Sequence, residues 1–207
     1  RMKPGEKITV CSCGTDYFCE ISSITEDTVF LNIKEQKLCS AEPSVDLTLF
    51  QAIPKQDKLE HIIQKSVELG VSKIVPVLTR RCVSRPDKKD FEKKLVRLNK
   101  IALEAAKQSG RGIIPTVEPM ISFDEAIIQM KEYDCPAMLY EEGGIRFSEL
   151  NTQEKKSFAL FVGSEGGFDE SEAEAAREAG IASIWLGERI LRCETAPLTA
   201  ISILMFI

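Results

Sequence analysis

The sequence predicts an α/β fold: a mostly parallel sheet with helices on both faces, preceded by a small β unit. Two observations carry this expectation. From about Pro43 onward, short β-like runs alternate with amphipathic helical runs, and such alternation builds parallel sheets because each crossover lays a helix across the strands. Before Pro43 the pattern is different, with short β-like runs and turns alone. A chain of 207 residues suits one ordinary domain, or a medium domain with a small appendage. The expected division is residues 1–43 and residues 44–207.

In the first part, Lys7–Cys13, Tyr17–Ser23 and Thr28–Ile33 are the β-like runs, separated by Cys13-Gly14-Thr15-Asp16 and Thr25-Glu26-Asp27. Strands at ~10-residue spacing indicate a small barrel or meander. Three are too few to close a stable barrel, and Arg1 is an unusual start, so a first strand is expected to be missing. In the second part Val45–Ile53 alternates Val45, Leu47 and Leu49 as a strand. Pro54 then opens a helix through Leu69, with Leu59, Ile62, Ile63 and Val67 on one stripe and Gly70 as its stop. A strand at Lys73–Leu78 and a basic helix from about Asp90 to Ser109 follow. Next come a strand near Ile113–Val117, a helix near Phe123–Lys131 and a strand at Cys135–Tyr140. The remaining elements are a strand at Phe158–Val162, a helix at Glu170–Ala179, a strand at Ala182–Leu186 and an apolar helix from Ala196. The chain stops in Leu204-Met205-Phe206-Ile207 without a capping residue, so a trimmed C-terminus is expected.

Composition excludes several classes. At 43% hydrophobic and 29% charged residues the chain reads as globular. The longest apolar stretch, Ala200–Ile207 interrupted only by Ser202, falls short of the ~18 residues that span a bilayer. With no secretory leader in view, a cytoplasmic location is expected. The 7 cysteines (Cys11, Cys13, Cys19, Cys39, Cys82, Cys135, Cys193) contain no Cys-x-x-Cys pair. They are expected to be reduced and mostly small core residues, with no metal. The single histidine, His61, rules out two-His metal sites, and its helical setting reads as a solvated helix face.

The net charge of −5 hides an asymmetry. Arg80–Lys100 holds nine Lys/Arg against three Asp/Glu, whereas Glu118–Glu178 holds five against fifteen. A basic segment on an acidic protein is either a phosphate-binding face or a solvated helix flank.

Ligands of parallel sheets collect at the carboxyl ends of strands, and three such ends carry chemistry. The first runs into Gly163-Ser164-Glu165-Gly166-Gly167-Phe168, after which Asp169 caps a helix with Glu172 at the capping-box position. Its glycines allow positive φ and close backbone approach. It lacks the Gly-Lys-Ser/Thr of a phosphate loop and the Gly-x-Gly-x-x-Gly of a dinucleotide fold. Glu165, Asp169 and Glu170 would repel phosphate, so a neutral or cationic ligand suits it better. The second end is Trp185-Leu186-Gly187-Glu188-Arg189-Ile190-Leu191-Arg192-Cys193-Glu194-Thr195-Ala196, an apolar seat rimmed by charge. Gly187 is expected to end the strand, and Thr195 to cap a helix that tolerates Pro197 in its first turn. The third end is Leu139-Tyr140-Glu141-Glu142.

The glycine loop, followed by Leu-Gly-Glu-Arg-Ile-Leu-Arg-Cys-Glu-Thr-Ala from Leu186, closely resembles the bacterial small-subunit ribosomal RNA methyltransferase E family of the SPOUT superfamily. Lys55-Gln56-Asp57-Lys58, Gln64–Val71 and Glu104–Arg111 match too, in the same order, over roughly Val45–Ile207. Residues 1–40 are less specifically similar to that family's PUA-like β-barrel. Ser164 departs from the proline usual at its position.

The resemblance implies a C-terminal trefoil knot whose loops hold S-adenosylmethionine, and a homodimer whose partner completes each pocket. The cofactor residues it implies are Leu139, Tyr140, Gly163, Glu165, Gly166, Gly167, Leu186, Gly187, Ile190, Leu191, Arg192 and Thr195. The implied reaction is methylation of uridine N3 in 16S ribosomal RNA or the small subunit. Glu165 or Glu194 could act as base and Arg192 could stabilise charge on the base oxygens; alternatively Glu165 and Arg192 only brace the loops. Expected RNA contacts are Lys55, Lys65, Arg80, Arg81, Arg85, Lys89, Lys93 and Arg111, with no metal and no membrane. A related enzyme acting on transfer RNA, or a non-catalytic RNA-binding homologue, is the alternative.

Overall fold

The computed structural model describes residues 2–206. Three strands, β1 (Lys7–Ser12), β2 (Thr15–Ile24) and β3 (Val29–Leu38), form an antiparallel sheet in the order β1-β2-β3. Cys13 and Gly14 turn the first hairpin at φ 49° and 75°, the paired positive angles that match hairpin twist. Among the described residues this sheet is open, a meander and not a closed barrel. Its third strand extends five residues past the expected end.

The larger sheet contains β4 (Asp46–Ala52), β5 (Lys73–Leu78), β6 (Thr116–Val117), β7 (Ile121–Ser122), β8 (Cys135–Leu139), β9 (Ser157–Val162) and β10 (Ala182–Ile184). Its order is β10-β8-β9-β4-β5-β6, with β7 also on β5, and every pairing is parallel. Among the described residues there are five helices: α1 (Lys58–Glu68), α2 (Lys88–Ser109), α3 (Phe123–Met130), α4 (Glu170–Glu178) and α5 (Thr195–Phe206). A single 3-10 turn covers Phe147–Glu149. No helix among the described residues is long and apolar enough to cross a membrane.

The expected two-faced α/β architecture is present. Alternation along β4 sends Leu47 and Leu49 to one side, where Ile62, Ile63 and Val67 of α1, Leu98 of α2 and Ile201 of α5 pack on them. Phe50 points to the other side, with Phe123 and Ile127 of α3, Phe161 of β9 and Ala173 of α4. On that side the Phe161 and Phe168 rings meet edge to face at 4.8 Å. Because Phe168 follows the glycine loop, its burial anchors that loop to the core.

Several expected boundaries are corrected. The first helix starts at Lys58, not Pro54, because Gln56 takes φ 57°, which no α-helix accommodates. The strand expected over Ile113–Val117 is only Thr116–Val117. Upstream, the backbone turns instead toward the small sheet, Gly112 O accepting from Gly14 N and Ile113 N donating to Glu42. The last strand ends at Ile184, not Leu186, since Trp185 N donates to Ile145 O as the chain leaves the sheet. Gly187 therefore lies inside a loop, three residues beyond the strand it was expected to end.

Candidate active site

The chain steps from β8 inward to β9 and then back past β8 to β10, so the strand order reverses there. Crevices at such reversals, outside the carboxyl ends of the strands, are where α/β sheets hold ligands. A cavity of about 450 Å³ opens at this place, lined from the ends of β8, β9 and β10. That volume lies within the roughly 300–1,000 Å³ range of small-molecule and cofactor sites.

The β9 end supplies Val162, Gly163, Ser164, Glu165 and Gly167. The loop closes on itself, Gly167 N donating to Ser164 O at 3.0 Å. Gly167 has φ 65°, and a β-carbon there would run into the Glu141 carboxylate. Asp169 caps α4 through Ser171 N, and Glu172 bonds back to Asp169 N, the expected capping box. Ser164 Oγ donates to Arg81 O at 3.3 Å, which ties the loop to the segment after β5.

The β10 end supplies Trp185 through Cys193, and β8 adds Leu139, Tyr140 and Glu141. Gly187 has φ 109° and only open space where a side chain would begin. Leu139, Leu186, Ile190 and Leu191 give the cavity an apolar lining. Ile190 is 87% exposed, an unusual setting for a large aliphatic side chain at a cavity mouth. The loop enters α5 through bonds from Thr195 N and Ala196 N to Arg192 O, leaving the Arg192 side chain exposed.

One lysine joins the two loops. Lys58 Nζ stands 3.1 Å from Glu165 Oε1 and 3.2 Å from Glu194 Oε2, with Cys193 Sγ at 3.8 Å. Glu165 also accepts the Lys55 N–H through both carboxylate oxygens. Burial alone would raise the Glu165 carboxyl; its own N–H, Lys58 and the Lys55 N–H outweigh it and hold the group below the ordinary range. Glu194 is lowered likewise, burial opposed by the Cys193 thiol, its own N–H and Lys58. The hydrogen bonds to Glu165 and then Glu194 raise Lys58. Burial, then the bond to Glu194, pushes the Cys193 thiol up to about 12, so it stays protonated. Both carboxylates are thus ionised and paired across the two loops. Tyr140 donates to Glu142 at 2.9 Å, and burial followed by that bond raises its hydroxyl.

Ten of the twelve residues expected to hold the cofactor line the cavity. Gly166 does not: its missing β-carbon faces Arg81 Cβ at 3.1 Å, and its carbonyl accepts from Arg81 Nη1. Thr195 does not either, being the exposed first residue of α5. Glu141, Trp185, Glu188 and Arg189, named at the strand ends but outside the expected cofactor set, also line it, and so does Lys58, which the sequence did not point to as a cavity residue. Trp185 carried a signal, being the only tryptophan and placed at a strand end.

The basic residues divide into four groups. Arg80 and Arg81 flank the glycine loop, Arg80 on Ser171 and Asp169, Arg81 on Gly166 and Asp169. Lys55, Lys89 and Lys93 are exposed. Arg85 donates to the carbonyls of Thr79, Arg80 and Cys82 and so ties down its own turn, while Lys65 is paired with Glu68 on α1. Arg111 is a correction. It is 6% exposed, paired with Glu42 at 2.9 Å and bonded to the carbonyls of Val67 and Val71, so no phosphate can reach it.

The chain is similar to known proteins over most of its length. The family model for the RNA methyltransferase domain matches residues 41–205. The ribosomal RNA small subunit methyltransferase E of Bacillus subtilis (strain 168) is 36% identical over 214 residues, covering 100% of this chain and 84% of the relative. The same-named protein of Aquifex aeolicus is 30% identical, covering 99% and 87%. Among solved structures, the ribosomal RNA small subunit methyltransferase E of Neisseria gonorrhoeae bound to S-adenosylmethionine superposes with a TM-score of 0.88 at 32% identity, covering 98% of this chain and 84% of that one. A Legionella pneumophila methyltransferase in complex with the same cofactor superposes at 0.86 and 31%, covering 99% and 84%.

Proposed function

This chain belongs to the RNA methyltransferase domain family, within the ribosomal RNA small subunit methyltransferase E group, and from that premise we propose that it methylates uridine N3 in 16S ribosomal RNA using S-adenosylmethionine. The observation that carries the reading is the cavity at the strand-order reversal, closed by the β9 and β10 loops and joined through Lys58. Its residues fit the cofactor. The aliphatic lining of Leu139, Leu186, Ile190 and Leu191 suits an adenine ring, and the open backbone at Gly187 lets a flat ligand approach. The carboxylates of Glu141 and Glu165 tolerate a cation at the cavity wall. When bound, the cofactor supplies an electrophilic methyl group on a sulfonium.

The chain's residues do the rest. Uridine N3 carries an imide proton; it passes to solvent water, and the charge left on the neighbouring oxygens must be accommodated until N3 takes the methyl group. Arg192, exposed at the mouth beside the cavity, is the group assigned to that charge. Glu165 and Glu194 are assigned to holding the two loops in register through Lys58, not to taking the proton. Holding the two reactants in line supplies a large share of the acceleration.

The same reading assigns the β9 and β10 loops to a trefoil knot, residues 1–43 to a PUA-like RNA-binding unit and residues 44–207 to the methyltransferase domain. It assigns Lys55, Arg80, Arg81, Lys89 and Lys93 to phosphate contacts, and a cytoplasmic location. The α5 helix is apolar around most of its circumference and supports a homodimer; light scattering reads this as twice the chain mass, and a monomer mass rejects it. Calorimetric titration with S-adenosylmethionine tests the pocket: one site per chain supports the assignment, and no heat of binding removes it.

A further inference from the structure

A second group of reactive side chains lies at the end of the small sheet, away from the cavity. Backbone register brings it together. Cys11 of β1 stands opposite Asp16 of β2, and Asp16 stands opposite Lys37 of β3. The register shifts between β2 and β3 lie farther along, at Phe18/Cys19 and Ile21/Ser23, so the alternation at this end is undisturbed. Cys39 lies two residues beyond Lys37 and continues the ladder, its N–H donating to Gly14 O at 2.8 Å. Period-2 alternation therefore sends Cys11, Asp16 and Cys39 to one face. Their sulfur, oxygen and sulfur atoms all lie within 4.8 Å of one another.

We propose that Cys11, Asp16 and Cys39 bind a transition-metal dication, with Zn²⁺ as the best match. Ligand atoms around a tetrahedral zinc sit roughly 3.5–3.8 Å apart, given bonds of about 2.3 Å to sulfur and 2.0–2.2 Å to oxygen. Binding therefore requires the three side chains to rotate from separations of up to 4.8 Å to that spacing. Two thiolates select against Ca²⁺ and Mg²⁺, which prefer oxygen ligands throughout. The burial gradient leaves room for a fourth ligand from solvent, since Cys39 is buried, Asp16 half-buried and Cys11 exposed. Binding forms two metal–sulfur bonds and one metal–oxygen bond, and the two thiol protons pass to solvent, so affinity rises with pH.

The position gives the site a consequence. Cys39 Sγ lies 3.4 Å from Gly110 O, at the end of α2. A β-carbon on Gly112 would stand 2.9 Å from Cys39 Cβ, and Gly14 N donates to Gly112 O. A metal here fastens the β1–β2 hairpin to the segment that meets the methyltransferase sheet. The ligands lie at positions 11, 16 and 39 with no Cys-x-x-Cys spacing, which is why sequence spacing alone suggested no metal.

The test uses the full chain, reduced and stripped of metal with a chelator. Titration with Co²⁺ should give a thiolate-to-metal charge-transfer band in the near ultraviolet, displaced by one equivalent of Zn²⁺ per chain. Cys11→Ser and Cys39→Ala should lose the band and Asp16→Asn should weaken it, whereas Cys13→Ser, at an exposed thiol outside the cluster, should keep it. Cys11→Ser and Asp16→Asn sit at the exposed hairpin end, and an unchanged circular dichroism spectrum separates lost binding from misfolding. No band in the parent, a band indifferent to Cys11→Ser, or a Cys11–Cys39 disulfide in a protein that takes up no metal once reduced would each overturn the proposal.

Discussion

Lys58 Nζ lies 3.1 Å from Glu165 Oε1, and this ion pair joins the first residue of α1 to the centre of the glycine loop, 107 positions away in the chain. The same ammonium reaches Glu194 in the second loop. The side chains of all three are about a quarter exposed, so the group is screened by water and acts chiefly through geometry. Its role is to keep two loops at one spacing around the cavity.

Removing that ammonium should loosen the cavity more than the fold. Lys58→Met is expected to weaken S-adenosylmethionine binding while the circular dichroism spectrum stays as in the parent. With the ammonium gone, Glu165 loses one of the bonds that lower it against burial, and its carboxyl should titrate above the parent's value in carbon-13 NMR. The pH dependence follows from the directions of the shifts. A depressed carboxylate contributes above its ordinary 4.5 and loses that contribution as pH falls through its folded value. A raised lysine contributes below its ordinary 10.5 and loses it as pH rises past its folded value. The Cys193 thiol, raised from its ordinary 9.0 to about 12, likewise contributes below 9 and loses that contribution as pH rises, so pocket integrity should be flat from about pH 5 to 9 and fall on either side of that window. Binding that weakens between pH 6 and 8 in step with a single group would contradict this.

Gly187 gives a sharper test of where the cofactor sits. At φ 109° any other residue is strained, by about 1–3 kcal/mol, but the space beyond its α-carbon is open. Gly187→Val should therefore fold with a modestly lower melting temperature and lose cofactor binding, because its branches project into the cavity. Normal binding with that substitution in place would mean the adenine lies elsewhere.

On the basic segment, Lys89 and Lys93 are the informative pair, since both are exposed and stand four residues apart on α2. Reversing both to glutamate should weaken RNA binding and reduce its salt dependence by about one unit of slope per lost phosphate contact. Cofactor affinity should be unchanged. Filter binding across a salt series reads both quantities, and an unaltered slope would make the segment a solvated flank.

Arg111 should behave in the opposite way. Its side chain is 3% exposed and its partner Glu42 16%, and breaking a buried pair by removing one member costs about 3–5 kcal/mol. Arg111→Ala should lower the urea midpoint by a corresponding amount without altering the salt slope of RNA binding in protein that remains folded.

Local chemistry made much of this molecule legible in the sequence. Lys73–Leu78 reads as a strand residue for residue, because an apolar run bounded by polar turns has few other solutions. The glycine loop with Asp169 and Glu172 announces a strand-to-helix turn through its capping box. What stayed hidden depends on distance in the chain or on burial. The link from Lys58 to Glu165 and Glu194 exists only once β4 lies beside β9. Arg111 reads as a basic surface residue until Glu42 and two carbonyls enclose it. Gly187 was taken for the end of a strand because its flanking apolar residues continue the β pattern, whereas Ile145 captures Trp185 and ends the pairing earlier.

The reaction itself can be read directly. Small ribosomal subunits lacking N3-methyluridine would be incubated with the purified protein and S-adenosylmethionine carrying a labelled methyl group, then digested to nucleosides for mass spectrometry. Label is expected in N3-methyluridine from 16S ribosomal RNA alone, lost with Arg192→Ala although that variant still binds the cofactor. Label in another nucleoside, or none from a protein that binds the cofactor, would contradict it.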